Sequence, residues 1–446
     1  MYLPDWVLYC VHSLEQAGFQ AYTVGGCVRD SLLGLQPHDY DLCTSATPQQ
    51  TAQVFSHHTL IRSGEKHGTI GVVVQGQVLE ITTFRTEGGY RDSRHPDWVE
   101  FVDRVQEDLA RRDFTVNAIA YHPEIGYVDP FGGQQDLQNR VLRAVGDAPT
   151  RFREDALRIL RGVRFSVRFG LTPAPATMAA MAELAPLMEQ LAKERIFQEL
   201  CGLLPLIHAD ELVTFAPILV QVLPVLKPCV GFLQHSIHHQ YDVFTHTAYV
   251  VEATPEDLSL RWAALLHDCG KPAVFSLDES GKGHFKGHAK ISAQLAEETL
   301  YQLKAPTALR EQVVFLVAQH MTPLEPDKKL LRRRLGKWGV AQTQALLQLQ
   351  EADMGSKGTG DFSQLEQFSH LRQLLQEVLS EDACLNIRDL AINGNHLLEL
   401  GFAPGKAIGN CLQYLLSQVQ QELLPNEPGA LLAQALDYLT HGMNHL

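Results

Sequence analysis

The sequence lacks three features that would place it in a specialised class of protein. It has eight cysteines but no CxxC pair, which argues against a zinc ribbon and against a disulfide framework. No apolar run reaches the roughly 18 residues of a membrane span, and the opening MYLPDWVLYC carries no basic segment. We therefore expect a globular protein with reduced, buried thiols, a cytoplasmic location and no membrane partner.

Positive charge is also scarce. The chain has 37 Lys and Arg against 51 Asp and Glu, a formal net charge of −14 at pH 7. Such a chain repels phosphate on average, so a nucleic-acid partner requires local basic patches. The 446 residues exceed what one ordinary core holds, and their length predicts roughly two to four domains.

The residue pattern changes near residue 145. Before it, the apolar runs FQAYTVGG and YDLCTS predict strands, and the Val-rich GTIGVVVQGQVLEITTF predicts a hairpin with Gly76 in its turn. After it, Ala, Leu, Glu and Gln recur at helical spacing. The pattern therefore predicts an α+β fold, in which a small mixed α/β domain precedes helical domains.

Paired carboxylates occur in residues 24–45, VGGCVRDSLLGLQPHDYDLCTS. If HDYDLCTS is a strand, Asp39 and Asp41 point to one face, and their repulsion is costly unless a cation lies between them. Mg²⁺ is a hard ion that takes carboxylate and phosphate oxygens. Glu80, on a later predicted strand, is a candidate third carboxylate. This pattern predicts a magnesium-dependent catalytic site.

The glycines upstream of the aspartates fit a phosphate ligand. Gly25 and Gly26 allow the backbone to approach a phosphate closely. Arg29 follows near the start of a predicted helix, where a triphosphate would also meet unpaired N–H groups. We therefore predict that these three residues bind nucleotide.

These motifs, in this order, resemble the signature of the class II CCA-adding tRNA nucleotidyltransferases and bacterial poly(A) polymerases, of the DNA polymerase β-like superfamily. The resemblance continues through segments that are similar to the family's ribose-recognising segment, head-to-neck connector, base-recognition helix and neck end: RRDFTVNAIAY (111–121), DPFGGQQDLQNRVLRAVGD (129–147), REDALRILRGVRF (153–165) and AKERIFQEL (192–200). It implies a nucleotidyltransferase head over residues 1–145 and a helical neck over residues 146–208, the beginning of an elongated helical part.

Three residues of the ribose-recognising segment have suitable chemistry for a nucleotide. Arg112 suits a phosphate or ribose, and Asp113 and Asn117 suit ribose hydroxyls. The same spacing also occurs on surface helices with polar pairs four residues apart. The resemblance favours the nucleotide-binding interpretation.

Four charged residues recur every three positions in REDALRILRGVRF: Asp155, Arg158, Arg161 and Arg164. On one helix they would share a ridge. Asp155 accepts a hydrogen bond from an amino group, and Arg158 donates to a ring nitrogen, so the pair accepts cytosine and adenine and rejects guanine and uracil. Arg161 and Arg164 are better placed for the triphosphate. The protein would thus select C and A without a template.

The segment FRTEGGYRDSRHPDWVEFV (84–102) resembles the flexible loop of the enzymes that add the terminal A; enzymes that add only CC have a shortened loop there. This resemblance favours full addition of C, C and A to the tRNA 3′ end from CTP and ATP, with release of pyrophosphate. An A-adding enzyme remains an alternative because it would keep this loop, and a poly(A) polymerase remains one because it shares the head.

A second constellation lies in the helical half. Its order, H…HD…H…H…D, resembles the HD phosphohydrolase domain and implies a body over residues 209–370. The expected ligands of one divalent transition metal ion are His246, His267, Asp268 and Asp353. His288 and His320, with Lys271, would serve a second ion or a phosphate. The implied activity is phosphoester hydrolysis, and a further alternative is an HD hydrolase with an idle head.

The final segment, INGNHLLELGFAPGKAIGNCLQYLL (392–416), resembles the C-terminal part of HD-containing CCA-adding enzymes and implies a tRNA-binding helical tail over residues 371–446. Lys406 begins a predicted helix there, and KKLLRRRLGKW (328–338) adds local positive charge. We expect both to contact the backbone of the tRNA acceptor and T arms. A non-catalytic RNA-binding protein is a third alternative, against which the intact aspartate pair argues.

Overall fold

The computed structural model describes residues 1–88, 98–236, 240–358, 365–381 and 384–441. The chain separates into two compact units. The first comprises Met1–Lys227 with the short segment Gln302–Ala305, and the second comprises Pro228–Tyr301 and Pro306–Leu446. This two-part division does not resolve the finer head, neck, body and tail boundaries, which stay predictions.

The strands of the first unit are short and lie mostly before residue 130: β1 (Ala21–Val24), β2 (Asp41–Thr44), β3 (Thr59–Ile61), β4 (Thr69–Val74), β5 (Gln77–Thr83), β6 (Arg85–Gly88), β7 (Trp98–Phe101), β8 (Ala120–His122), β9 (Gly126–Val128), β10 (Val141–Leu142) and β11 (Thr172–Pro173). Seven of them form one mixed sheet in the order β3-β4-β5-β2-β1-β8-β9. The β2–β5 pair is parallel, and the other neighbours in this sheet are antiparallel.

The predicted Val-rich hairpin is confirmed as β4 and β5. Its two turn residues, Gln75 and Gly76, have φ of 51° and 77°. Positive φ at both central residues gives the two-residue turn whose twist matches antiparallel strands. This tight turn fixes the register of β5, which carries Glu80.

Successive side chains of the central strands point to opposite faces of the sheet, so a separate hydrophobic cluster packs on each face. Leu42 packs in one cluster with Val7 and Leu14 of the N-terminal helix. Cys43 packs in the other cluster, with Leu109. Asp41 lies two residues before Cys43 and therefore faces the second layer.

The helices of the first unit include a succession after residue 147, as the helical spacing predicted: α1 (Asp5–Gln16), α2 (Gly26–Leu32), α3 (Pro48–Val54), α4 (Val105–Ala110), α5 (Gly133–Gln138), α6 (Ala148–Glu154), α7 (Leu157–Phe169), α8 (Pro175–Leu184), α9 (Lys193–Leu203), α10 (Ala209–Thr214) and α11 (Ala216–Val222). Helices α7 and α9 pack against each other. The mixed α/β region followed by helices confirms the predicted fold class.

The second unit is almost entirely helical, and its elements are α12 (Val243–Ala253), α13 (Leu258–Leu266), β12 (Ser276–Leu277), β13 (Gly283–His284), α14 (His288–Gln302), α15 (Thr307–Gln319), α16 (Lys328–Trp338), α17 (Val340–Gly355), α18 (Leu365–Ser380), α19 (Gly394–Glu399), α20 (Lys406–Gln420) and α21 (Pro428–His441). Helix α13 is buried along most of its length and packs against α12, α15 and α17. Across the described ranges, no helix combines the length and apolarity that a membrane crossing needs.

Candidate functional site

The carboxylates of the first unit meet on the β2–β5 pair. Asp41 is the first residue of β2 and is aligned with Glu80 of β5. Aligned residues on neighbouring strands project from the same face, so the two side chains are neighbours. The loss of surrounding water and the nearby Glu80 carboxylate raise the pKa of Asp41, as does Asp39, while the Arg112 guanidinium opposes them. The three acidic residues therefore lie in one electrostatic site, and their repulsion favours a bound cation.

The position of Asp39 differs from the prediction. Strand β2 begins at Asp41, so Asp39 lies in the preceding segment and does not share a face with Asp41 by strand alternation. The pairing of β2 with β1 ends at Leu42, opposite Thr23, because β1 is followed at once by the turn at Gly25. Asp39 still contributes its charge to Asp41.

Gly25 connects β1 to α2 in a conformation that requires glycine. Its φ is 76°, in the left-handed half of the map, and a Cβ there would lie 2.9 Å from Nη1 of Arg112. Arg112 also pairs with the buried Asp108, with Nη2 and Oδ2 3.4 Å apart. The glycine therefore lets an anchored arginine lie directly against the turn.

A chain of hydrogen bonds links the remaining nucleotide-binding candidates. Nη1 of Arg29 donates to Oδ1 of Asn117 at 2.6 Å, and Nδ2 of Asn117 donates to Oδ1 of Asp113 at 3.0 Å. Nη2 of Arg161 donates to the other oxygen of Asp113 at 2.8 Å. The structure therefore joins the predicted triphosphate and ribose residues through one buried carboxylate. The segment around Asn117 is a buried turn (Thr115–Asn117) and not a surface helix.

Burial raises the pKa of Asp113, but the Arg161 guanidinium and the Asn117 amide outweigh burial and lower the pKa to about 2. Asp113 is therefore ionised at neutral pH and keeps both neighbours in place.

Two aromatic rings contact the cations: the Arg29 guanidinium lies 4.1 Å from the Phe169 ring centre, and the Arg161 guanidinium lies 5.1 Å from that of Phe165.

The predicted base-reading residues do not lie on one continuous helix. Helix α6 ends at Glu154, Asp155 is extended with φ −141° and ψ 102°, and α7 begins at Leu157. Asp155 caps the new helix, because its Oδ1 accepts a hydrogen bond from the Leu157 N–H at 3.0 Å. The prediction of a single ridge was therefore wrong at Asp155, although Arg158, Arg161 and Arg164 all belong to α7.

Arg158 and Asp155 are held by separate partners. Nη1 of Arg158 donates to Oε2 of Glu154 at 2.6 Å, and Nη2 donates to the Arg111 carbonyl at 3.0 Å. Oδ2 of Asp155 accepts from Nη2 of Arg195 at 2.9 Å. Arg195 belongs to AKERIFQEL, but the sequence did not assign it a role. The Glu154–Arg158 pair spans the break between α6 and α7, so it connects the two helices and does not stabilise a single one.

Arg164 differs from the other candidates on α7. Its Nε donates to Oε2 of Glu199 on α9 at 2.6 Å. In this structure it therefore connects two helices, and a role at the triphosphate stays a prediction.

The predicted loop at 84–102 is built on a two-stranded hairpin. Strand β6 pairs with β7 in a register that ends with Gly88 opposite Trp98. Residues 89–97 lie outside the described residues.

The predicted metal ligands of the second unit come together. His246, His267 and Asp268 form one group in which the ligand atoms lie within 4.8 Å of one another, and Asp268, His288 and His320 form another. Asp353 completes the cluster, with Oδ1 3.0 Å from Nε2 of His246.

All four imidazoles are oriented in the same way. Each Nδ1 lies 2.7–3.2 Å from a backbone carbonyl, those of Ser356, Ala264, Phe285 and Val317. A carbonyl only accepts hydrogen bonds, so each Nδ1 carries a proton and each Nε2 points into the cluster. Nε2 of His288 and Nε2 of His320 then face each other at 3.1 Å. Two unprotonated nitrogens would repel at that distance, and a cation bound to both would relieve the repulsion.

The charges in this cluster also favour a cation. Burial raises the pKa of Asp268, but His267 and Lys271 outweigh burial and hold it well below its usual range. Burial and the nearby His267 lower the pKa of His320 to about 4, so His320 is neutral near pH 7. Lys271 lies at the edge, with Nζ 2.7 Å from Oδ2 of Asp268 and 2.8 Å from Oε1 of Gln234. Gln234 is a partner that the sequence did not identify.

The second unit contains a basic cavity of about 800 Å³, lined by α16, α20 and residues 385–388. Four cationic residues line it: Arg333, Arg334, Lys337 and Arg388. In contrast, Arg332 of the same helix pairs with Glu381 and Glu422. Gly405 precedes α20 with a φ of 99°, and Lys406 is the first residue of that helix. The RRR run is therefore divided between an ion-paired residue and two cavity-lining residues.

Three family models match the chain. The poly A polymerase head domain matches residues 21–143, the RNA and SrmB-binding site of polymerase A matches residues 170–213, and domain 2 of the tRNA nucleotidyltransferases matches residues 285–435. Together they cover the seven-stranded sheet, helices α8 and α9, and much of the second unit.

Known relatives match the chain over its whole length or over part of it. A CCA-adding enzyme of Latilactobacillus sakei is 34% identical over 438 residues, which cover 95% of this chain and 96% of that one. A CCA-adding enzyme of Streptococcus suis is 50% identical over 194 residues, which are 44% of this chain and 48% of the relative. The crystal structure of the Bacillus stearothermophilus CCA-adding enzyme in complex with CTP matches with a TM-score of 0.73 and 27% identity, over 100% of both chains. With the carboxylates on β2 and β5 in place and a full-length relative at this identity, the chain belongs to the family of CCA-adding enzymes.

Proposed function

We propose that this chain adds C, C and A to the 3′ end of tRNA without a template, using CTP and ATP. The alignment of Asp41 with Glu80 is the observation that carries the proposal, since it gathers carboxylates near Arg112, whose guanidinium lies against Gly25. In the reaction, the tRNA 3′-hydroxyl attacks the α-phosphate of the nucleotide. A bond to the α-phosphorus forms, the bond to the β-phosphate oxygen breaks, and pyrophosphate leaves.

The acidic residues of the head fit Mg²⁺. Asp39, Asp41 and Glu80 would hold the ions, because three interacting carboxylates offer the hard oxygen ligands that magnesium takes. Bound ions of this kind activate the attacking hydroxyl and offset charge on the phosphates.

The arginines and the ribose-binding residues position the nucleotide. Arg29 and Arg161 are fixed by hydrogen bonds and aromatic rings, so they offset phosphate charge without reorganising. Asn117 and Asp113 lie between them and face the ribose hydroxyls. The sugar and the phosphates are therefore recognised by one connected set of side chains.

Base selection is assigned to Asp155 and Arg158. The carboxylate accepts from the exocyclic amino group of cytosine or adenine, and the guanidinium donates to the ring nitrogen beside it. Arg158 has five N–H donors, and its recorded hydrogen bonds to Glu154, Arg151 and Arg111 leave it donors for a base. Uracil and guanine present a carbonyl to the carboxylate and are rejected.

The test is an extension assay on a tRNA that ends at the discriminator base, with magnesium and with CTP, ATP or both. We expect CC with CTP alone and CCA with both nucleotides, read by sequencing the 3′ ends. Addition of A only to a tRNA ending in CC would show an A-adding enzyme, and a long A tract would show a poly(A) polymerase. Either result would contradict the proposal.

A second activity is favoured by the four oriented imidazoles. We infer that His246, His267, Asp268 and Asp353 hold a divalent transition metal ion, and that His288 and His320 hold a second ion or, with Lys271, a phosphate. Such an ion supplies a nucleophile from water for phosphoester hydrolysis. The residues form the site of an HD phosphohydrolase, on a body that we assign to residues 209–370.

Two single substitutions separate the two activities. Asp39→Ala is expected to abolish CMP incorporation and to leave hydrolysis of a model phosphodiester with nickel or manganese unchanged. Asp268→Ala is expected to do the reverse. If the wild-type chain takes up no transition metal by elemental analysis and hydrolyses no phosphoester, the second site is a folded relic.

The partner of the tail is the tRNA. We infer that the basic cavity beside α16 and Lys406 at the start of α20 contact the backbone of the acceptor and T arms, because phosphate contacts position RNA without reading its sequence. A structure of the Thermotoga maritima CCA-adding enzyme complexed with tRNA shares the fold, with a TM-score of 0.60 and 19% identity. A location in the cytoplasm, where tRNA is processed, follows from this proposal.

A further inference from the structure

The carboxylate of Asp155 is held from two sides. Oδ1 accepts from the Leu157 N–H at 3.0 Å, and Oδ2 accepts from Nη2 of Arg195 at 2.9 Å. The first contact comes from the adjacent turn of α7, whereas the second comes from a helix 40 residues further along the chain. Each carboxylate oxygen has a second lone pair, so both contacts leave acceptors for a ligand.

Arg195 is placed to orient this carboxylate. It lies in the first turn of α9, and its side chain is only 24% exposed. Its Nη1 is buried and has no hydrogen-bond partner among the described residues. The surrounding residues hold Arg195 beside Asp155 even though one of its donors has no partner there. Its hydrogen bond to Oδ2 therefore limits the rotation of the Asp155 carboxylate.

From these contacts we infer that Arg195 is a positioning residue that sets base specificity through Asp155. The inference rests on the proposed function, in which Asp155 reads the base. A carboxylate fixed in one orientation meets the amino group of cytosine or adenine with a free lone pair. It also cannot turn away from the carbonyl of uracil or guanine, so the wrong base is left with an unpaired, repelling contact.

Loss of the fixed orientation has a distinct consequence. A carboxylate held only by the Leu157 N–H can rotate, so the correct base must order it on binding, and the wrong base can displace it. Both effects lower discrimination: CTP is used less efficiently, and the penalty against UTP falls. A residue that only stabilised the fold would lower the use of both nucleotides equally.

The same two helices provide a matched control. Arg164 of α7 pairs with Glu199 of α9 at 2.6 Å, so this second ion pair connects α7 to α9 without touching Asp155. Glu199→Gln removes the negative charge of this pair and so abolishes the ion pair. A purely structural effect of losing an α7–α9 ion pair should therefore be reproduced by Glu199→Gln.

The experiment measures kcat/KM for CTP and UTP with the full chain and a tRNA that ends at the discriminator base. The variants are Arg195→Met, Arg195→Lys and Glu199→Gln, with the melting temperature recorded for each. We expect Arg195→Met to lower the CTP/UTP ratio about tenfold or more, within the range of one good bidentate base contact. Arg195→Lys, which keeps a cationic donor, should recover part of the ratio. Glu199→Gln should lower the melting temperature and leave the ratio unchanged.

An unchanged ratio in Arg195→Met and Arg195→Lys would overturn the inference, as would an equal fall in Glu199→Gln. Asp155→Ala in the same assay separates this failure from failure of the proposed base reading. If Asp155→Ala collapses the ratio while the Arg195 variants do not, only the role of Arg195 is wrong. If Asp155→Ala also leaves the ratio unchanged, the base reading itself is wrong.

Discussion

Arg29 is buried, and its guanidinium is fixed by Asn117, Asp30 and the ring of Phe169. Such contacts show which features of the site a sequence can indicate residue by residue and which it cannot. The residue types at Asp41, Glu80 and Arg29 indicated phosphate and metal chemistry directly. Their partners did not follow from the sequence, because the contacts between Arg29 and Asn117 and between Asp155 and Arg195 join residues far apart in the chain.

Gly25→Ala is expected to impair nucleotide use beyond its effect on stability. Its Cβ would lie 2.9 Å from Nη1 of Arg112, and its φ of 76° with ψ of −125° adds strain of roughly 1–3 kcal/mol for a side chain. We expect a rise in KM for CTP together with a lower melting temperature. Gly18→Ala is the matched control, because φ at Gly18 is 88° but no atom lies within 4 Å of a Cβ there. Equal effects on KM in both variants would contradict the prediction.

Asp113 should stabilise the fold only above acidic pH. Its pKa is about 2 in the folded chain and near 3.8 in an unfolded one, so the folded state favours the ionised form by about 2 kcal/mol. This stabilisation is present above pH 4 and is lost as pH falls toward 2. Urea unfolding of the wild type and of Asp113→Asn should therefore differ at pH 7 and converge at acidic pH. A difference that does not shrink would show that ionisation is not its source.

At the scale of elements, the hydrophobic pattern predicted the strands and hairpins but not the break between α6 and α7. Valines and Gly76 determine the β4–β5 hairpin locally, and the structure confirms it. The spacing of residues 153–165 predicts one continuous helix, but the helix breaks at Asp155. The Asp155 carboxylate accepts a hydrogen bond from the backbone N–H of Leu157, and such side-chain contacts compete with helical hydrogen bonding. The break gives Asp155 an extended backbone at the start of α7.

The β6–β7 hairpin allows the terminal A addition to be tested by a loop exchange. Gly88 and Trp98 form its last described pair, so an Asn-Gly turn can replace residues 89–97 and close the two strands. We expect this variant to add CC to tRNA and to lose addition of A, since the loop resembles that of the A-adding enzymes. Sequencing of the 3′ ends reads the outcome. Undiminished A addition would show that the replaced residues are dispensable.

At the scale of the whole molecule, a chain of net negative charge needs its positive side chains gathered on one surface to bind an anionic partner. The net charge is −14, yet four cationic residues surround a cavity of about 800 Å³ in the second unit. Composition predicted the need for local patches. It did not predict which arginine of the RRR run would be neutralised, because Glu381 and Glu422, which pair with Arg332, come from distant segments.

The paired substitution of Arg333 and Arg334 by Ala should weaken tRNA binding and flatten its salt dependence. Each lost phosphate contact lowers the slope of log K against log salt by roughly 0.7 to 0.9. Lys329→Ala is the control, since Lys329 lies on the same helix but does not line the cavity. Filter binding at several salt concentrations measures both. Equal slopes for the double variant and the wild type would exclude the cavity as a phosphate site.

The parallel alignment of Asp41 with Glu80 has an evolutionary consequence. Glu80 reaches Asp41 only because a two-residue turn follows β4 and the side chains of β5 alternate strictly. Deletion or insertion of a single amino acid between Gly76 and Glu80 would send the glutamate to the opposite face of the sheet. Many substitutions in this hairpin are therefore compatible with the site, whereas an insertion or deletion of one residue is not. We expect the length of the hairpin to be kept in evolution while its residues vary.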